Sequence, residues 1–388
     1  MTVDRAIWRY QLTAAERAVL GRGEGSVLDH LPDILVVGGG IMGVTTALAC
    51  HEAGLGSVQL IETGRLGAGA TGGAGGLLVP EPHQWSDPEP LVELEKASLE
   101  RWRELEQRLP QGVGLVDIDW IGLVPTSGGL AAHQSPAVEY LAPGQVAWLI
   151  PGLARPMDGA LTRHQARVNP LRAVARLSAR LPAVATGVAA TAVTVRGDRV
   201  VSVATSAGEI QPGAVVFATG QPPVLDGLPL SIPSERVKGH LLVTAPTRIR
   251  LPGIVAPVAT QIEDSRLLSG GTLDVGDETP VVRPEVIESI MSEVAAALPA
   301  AKGLGVDYQW CCFRPRHPDG RPVIDQVPGL ANAWLTSGHF RTGILNAPAT
   351  AAVLARWISG GQPPAESGTW SAGRFRGLAG TRIEGLAG

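Results

Sequence analysis

Six residues, Gly38-Gly39-Gly40-Ile41-Met42-Gly43, match the pattern G-x-G-x-x-G, and Glu62 follows nineteen residues after Gly43. That spacing serves dinucleotide binding. Gly38 allows a tight turn, Gly40 lets the backbone approach a pyrophosphate, and Gly43 lets a helix pack closely on a strand. A helix opening at this point offers unpaired N–H groups and the positive end of its dipole to phosphates. A carboxylate at Glu62 accepts hydrogen bonds from ribose hydroxyls and repels a 2′-phosphate. In a chain with 49 glycines the string alone is weak. Its place between a buried strand and a helix gives it force.

The residues after Glu62 point to FAD rather than a nicotinamide. The run GRLGAGATGGAGG, residues 64–76, is a long stretch of small side chains that can lie flat against a large planar ring. A second piece, VVFATG, is a buried strand ending in Thr219-Gly220. A third, SGHFRTGI, stands before a C-terminal helix whose first N–H groups would face the flavin edge where negative charge develops on reduction. The cofactor-binding set therefore starts with Gly38, Gly40, Ile41, Met42 and Gly43, then Glu62, Thr63 and Arg65. It continues through Ala70, Thr71, Gly72, Gly73, Gly75, Gly76 and Leu77 to Val188, Thr219 and Gly220. It closes with Gly338, His339, Phe340, Arg341, Thr342, Gly343 and Ile344. There is one fingerprint only, so no second site for NADPH is visible. That disfavours reductases and monooxygenases and favours an enzyme whose organic substrate supplies the electrons.

These residues need elements to hold them. Ile34–Val37 reads as a strand buried on both faces, residues 45–54 as a helix, and residues 57–62 as a second strand: one β-α-β unit. Residues 91–109 are amphipathic, with Leu91, Leu94, Leu99, Trp102, Leu105 and Leu109 on one face. Asn169-Pro170 opens another helix, with Pro at its first position. Strands are expected at 184–188, 192–196, 200–205, 214–218, 236–244, 265–270 and 334–337, and helices at 283–298 and from about 348 to 358. Thr13 to Glu16 has capping-box spacing and opens a short helix in an arm expected to pack on the domain surface. After Gly360 the chain reads as an extended tail.

Composition bounds the rest. Of 388 residues, 49 are Gly and 31 Pro with no collagen-like period, which indicates a loop-rich globular protein of one very large or two ordinary domains. Formal net charge is −4 and no Lys/Arg run occurs, so nucleic acid is not expected as a partner. The three Cys, at 50, 311 and 312, form no disulfide framework, and no metal-ligand spacing occurs among Cys and His. The N-terminus lacks an apolar signal core, and the most apolar stretch is too short to span a membrane. Together these suggest a cytoplasmic protein without a membrane partner, and leave a homo-oligomer open.

The segments above, with RVKGHLLV, SGGTLDVGDETP, CFRPRHPDGRPVID and SGHFRTGILNAPAT, resemble the FAD-dependent amine and amino-acid oxidase family that includes glycine oxidase, sarcosine oxidase and D-amino-acid oxidase. The likeness is strongest to bacterial glycine oxidases and runs from about residue 33 to 362. It implies an α/β fold: a Rossmann-like FAD-binding domain from residues 33–110, 165–225 and 326–362, and a discontinuous second domain on a mixed or antiparallel sheet with helices, from 111–164 and 226–325. Residues 1–32 form the arm and 363–388 the tail. The resemblance implies hydride transfer from the carbon bearing nitrogen to the flavin, imine hydrolysis, and reoxidation by oxygen to hydrogen peroxide. It assigns Arg314 to gripping the substrate carboxylate and places Arg341 near it, with His83 and His240 as further pocket candidates. Two departures stand out. The stretch Gly253–Gln261 lacks the tyrosine that glycine oxidases place at the substrate, which suggests a larger or N-substituted amino acid. Cys312 lies seven residues before Asp319, where monomeric sarcosine oxidases carry the cysteine bonded to flavin; noncovalent FAD is favoured, with a covalent link as the alternative. A dehydrogenase using a non-oxygen acceptor and a noncatalytic flavoprotein or assembly factor stay open as other functions.

Overall fold

The computed structural model describes residues 5–23, 26, 28–124 and 137–376. Six strands form its central sheet, in the order Val323–Gln326, Ala333–Ser337, Ala214–Gly220, Ile34–Val37, Val58–Glu62 and Ala183–Thr186. Every neighbouring pair is parallel except the first. The strand Ile34–Val37 is buried at each residue, as a continuous apolar run requires when both faces are covered. Alternation divides its side chains. Ile34 and Val36 pack with the helices Ile41–Glu52, Pro170–Ser178 and Gly343–Ile358. Leu35 and Val37 pack with a small antiparallel sheet of Ala190–Arg196, Arg199–Thr205 and Gly208–Ile210.

The second body is a nine-stranded mixed sheet, in which Gly253–Ala256 and Leu115–Val124 are the parallel pair. Its strands Val306–Arg316 and Glu235–Thr244 pair antiparallel along almost their full length. Helix Pro284–Ala297 covers it through Ile287, Ile290 and Val294. The fold is α/β, with a Rossmann-like sheet and a second body of mixed sheet and helices, as expected. Among the described residues no helix is long and apolar enough to cross a membrane.

Three elements differ from the sequence reading. The C-terminal helix begins at Gly343, not near Pro348, and runs through that proline. Proline has no N–H to give Ile344, so a helix interior normally rejects it. Here Trp102 Nε1 donates to the Ile344 carbonyl at 3.0 Å, and Ser98 Oγ accepts from Ala349 N at 3.1 Å. Both donors and acceptors come from the amphipathic helix Glu89–Arg108, whose buried face meets this turn. The arm is no surface appendage: Ala6, Ile7, Trp8, Leu12 and Leu20 are buried within the main core. Its helix Ala14–Leu20 does carry the full Thr13/Glu16 capping box. The tail is not extended over its described part. Trp370 and Phe375 are buried in short 3₁₀ turns, and Ser371 Oγ donates to Asp325 Oδ2 at 2.7 Å. From residue 377 the tail lies outside the described residues.

Candidate active site

The turn after Ile34–Val37 is built as glycine chemistry requires. Gly38 has φ of 115°, and a Cβ there would overlap the Ala218 carbonyl on the neighbouring strand. A Cβ on Gly43 would overlap the carbonyl of Gly38. Glu62, at the end of its strand, accepts from Gly39 N at 2.7 Å and from Gly64 N at 2.8 Å. Ile41 N donates to Thr71 Oγ1 at 3.1 Å, which ties the helix start to the glycine-rich segment.

These pieces open onto a cavity of about 550 Å³ that runs between the two sheets. Of the expected cofactor residues, Gly38, Gly40, Ile41, Met42, Glu62, Thr63, Ala70, Thr71, Gly73, Gly75, Gly76 and Leu77 line it. So do Val188, Thr219, Gly220, His339, Phe340, Arg341, Gly343 and Ile344. Gly43, Arg65, Gly72, Gly338 and Thr342 do not; Gly43 acts from behind, by close packing. Gly338 gives room to the His317 ring, and Thr342 Oγ1 donates to the His339 carbonyl at 3.1 Å.

Arg314 and Cys312 reach the same cavity from the strand Val306–Arg316. Arg314 donates to the Thr272 carbonyl at 2.8 Å and makes no salt bridge among the described residues, with Asp274 acting on its charge from beyond contact distance. Burial lowers its guanidinium from the ordinary value, and the charge of Arg341 adds to that. It remains a cation, since arginine does not deprotonate in proteins. Room for it comes from Gly239, where a Cβ would strike the guanidinium. Arg341 is exposed at the cavity, with the ring of Phe340 5.5 Å from its guanidinium carbon. His339 is fully enclosed; burial pushes it down to about 3, so the ring is neutral. Its Nε2 meets Thr336 Oγ1 at 2.8 Å, and its buried Nδ1 has no protein partner. Burial raises the Cys312 thiol to about 11, and Cys312 Sγ donates to the Gly73 carbonyl at 3.1 Å.

Two pocket candidates sit elsewhere. His83 Nδ1 is 2.7 Å from Glu95 Oε2, off the cavity. His240 is buried behind Arg314: its Nδ1 is 2.8 Å from Asp274 Oδ2, and its Nε2 accepts from Arg283 N. Its backbone N donates to Thr272 Oγ1 at 2.9 Å, so it braces the residue whose carbonyl holds Arg314. The far wall, Ile254, Val255, Ala256, Pro257, Val258 and Ala259, falls within the stretch Gly253–Gln261 that the resemblance sets at the substrate, whereas Leu241 and Leu268 beside it were missed. Gly239 and Gly271 were signals that could have been used, because glycine inside a strand pattern marks close approach of another group.

The cradle fits a dinucleotide. It has glycines where a Cβ would collide, a carboxylate at the end of the second strand, a helix start on the lining, and an orphaned buried nitrogen on His339. The sequence pattern of FAD dependent oxidoreductases matches residues 33–357. The chain belongs to this family. It is an FAD-dependent oxidoreductase of the amine- and amino-acid-oxidising group. The glycine oxidase of Pseudomonas aeruginosa is 32% identical over 353 residues, covering 85% of this chain and 95% of that one. The crystal structure of glycine oxidase from Geobacillus kaustophilus superposes with a TM-score of 0.77 at 22% identity, covering 92% of this chain and 100% of that one. L-proline dehydrogenase from P. horikoshii superposes with a TM-score of 0.80 at 20% identity, covering 90% of this chain and 99% of that one. At these identities the structures speak for the fold alone.

Proposed function

We propose that this family member oxidises the C–N bond of a carboxylated amine larger than glycine, either a bulkier amino acid or an N-substituted one. The observation that carries the reading is Arg314, a half-buried cation on the cavity that makes no salt bridge among the described residues and shares the cavity with a wall of Ile254, Ala256, Pro257 and Val258. A planar guanidinium can hold a carboxylate through two parallel bonds and so fix the α-carbon. Arg341 supplies a second positive charge at the same end. The apolar wall favours the neutral amine, since desolvation disfavours an ammonium ion. No side chain is assigned as a strong base.

When bound, FAD supplies the two-electron acceptor for the hydrogen leaving the carbon that bears nitrogen. The cavity residues named above would hold it, with Glu62 toward the ribose hydroxyls and His339, kept neutral, presenting Nδ1. The product imine hydrolyses in water to a carbonyl compound and an amine, and oxygen is the final acceptor, giving hydrogen peroxide. The protonated Cys312 thiol supports FAD held without a covalent bond, because the thiolate is the nucleophile.

The test is anaerobic bleaching of the flavin absorbance by glycine, sarcosine, longer N-alkyl glycines, and D- and L-amino acids. Bleaching fastest by a bulkier or N-substituted carboxylated amine is the expected result. Fast bleaching by glycine with larger amines inactive would remove the size argument, and bleaching by none would favour a noncatalytic flavoprotein.

A further inference from the structure

The arm of residues 5–23 lies before the family match, which starts at residue 33. It is nevertheless built into the wall of the cavity. Trp8 is 1% exposed, and its Nε1 donates to the Ala74 carbonyl at 2.7 Å. Trp310 Nε1 donates to the Gly73 carbonyl at 3.0 Å, and the two indoles meet edge to face with centroids 6.4 Å apart. Gly73 and Ala74 both line the cavity. They sit at the end of the single helical turn Ala70–Gly73, where carbonyls lack partners within the helix. Two tryptophans some three hundred residues apart in sequence therefore supply the missing donors from behind.

The arm is itself anchored on both bodies. Asn169 Nδ2 donates to the Trp8 carbonyl at 3.0 Å, Arg176 pairs with Glu16 at 2.9 Å, and Leu66 N donates to the Leu20 carbonyl at 3.0 Å. On the side of the second sheet, Gln11 Nε2 donates to Glu263 Oε2 at 3.1 Å.

We infer that the N-terminal arm is a positioning element of the active site, with Trp8 as the positioning residue that fixes the glycine-rich cavity wall through the Ala74 carbonyl. The inference rests on the reading that FAD occupies this cavity. A free Ala74 carbonyl would let the wall shift, and a 1 Å displacement in such a site is enough to change binding and rate.

The experiment compares wild type with Trp8→Phe, which keeps an aromatic ring and removes the N–H. Trp370→Phe is the control, since Trp370 is buried and does not line the cavity. We expect Trp8→Phe to weaken FAD binding about 5–10-fold and to shift the visible flavin band, as loss of a single hydrogen bond of ordinary strength would. Trp370→Phe, which removes an indole N–H that has no hydrogen-bond partner, should leave both flavin readouts unchanged. Wild-type FAD affinity and spectrum in Trp8→Phe would overturn the role of the arm. Absence of FAD binding in the wild-type protein would instead overturn the reading of the site. Should Trp8→Phe fail to fold, amide exchange on the wild type decides. Coupling is reciprocal, so FAD must slow exchange in residues 5–20, by a factor of about 5 or more, and equal exchange with and without FAD would overturn the inference.

Discussion

The two ends of the cavity are built in different ways. The dinucleotide end is made of backbone: glycines that avoid Ala218 and Gly38, N–H groups of Gly39 and Gly64 on Glu62, and the start of helix Ile41–Glu52. The opposite end is made mainly of side chains from separate parts of the chain: Leu241, the stretch 254–259, Leu268, Arg314 and Arg341. Backbone recognition tolerates little change in residue type at Gly38, Gly39 and Gly43, where a Cβ collides. Side-chain recognition tolerates exchange of its apolar wall, and so substrate choice can drift while the cofactor stays fixed.

The sharpest way to break this contrast is Gly43→Ala. Its methyl group would meet the Gly38 carbonyl, which cannot move without disturbing the strand, so FAD affinity should fall by at least about 100-fold and much of the protein should be insoluble. Equilibrium titration with FAD would check this, and near-normal binding would show that the turn is more adaptable than the geometry allows. Next comes Arg314→Met. FAD should stay bound while kcat/KM for the best amine falls roughly 10–100-fold, the size expected for one charge-assisted bond. Steady-state kinetics on the flavin-loaded variant separate this from loss of the cofactor. The last test lies at the seam, on His339. Its folded pKa is depressed to about 3, so stability is complete above the unfolded value near 6.5 and declines as pH falls below it. That decline should amount to about 1.4 kcal/mol per pH unit for this group. Thermal melts between pH 7 and 4 on wild type and His339→Asn should show a shallower acid slope in the variant; parallel slopes would mean that other groups dominate.

This difference in construction also explains what could be read beforehand. Glycine spacing, the Glu62 terminus, the Asn169-Pro170 helix start and the buried strand runs are local signals, and the central sheet follows from them. Arg314 was legible through its family-like surroundings. The far wall was legible only through the same resemblance, because Ile254 to Ala259 is an ordinary apolar stretch until the second sheet brings it to the cavity. His240 was misplaced for a related reason: a buried histidine looks the same in sequence whether it faces a ligand or braces Thr272. The helix start at Gly343 was hidden by Pro348, since the donors that rescue it lie some 245 residues earlier, on Ser98 and Trp102.

The pairing of Trp8 with Trp310 also sets an order of events during synthesis. Trp8 leaves the ribosome about three hundred residues before Trp310. At ~5–20 residues per second, that interval lasts from about fifteen seconds to a minute. Over that time the indole must wait without its final aromatic neighbour, so the cavity wall closes only after Trp310 has emerged, and a nascent chain that stops short of it cannot complete the wall.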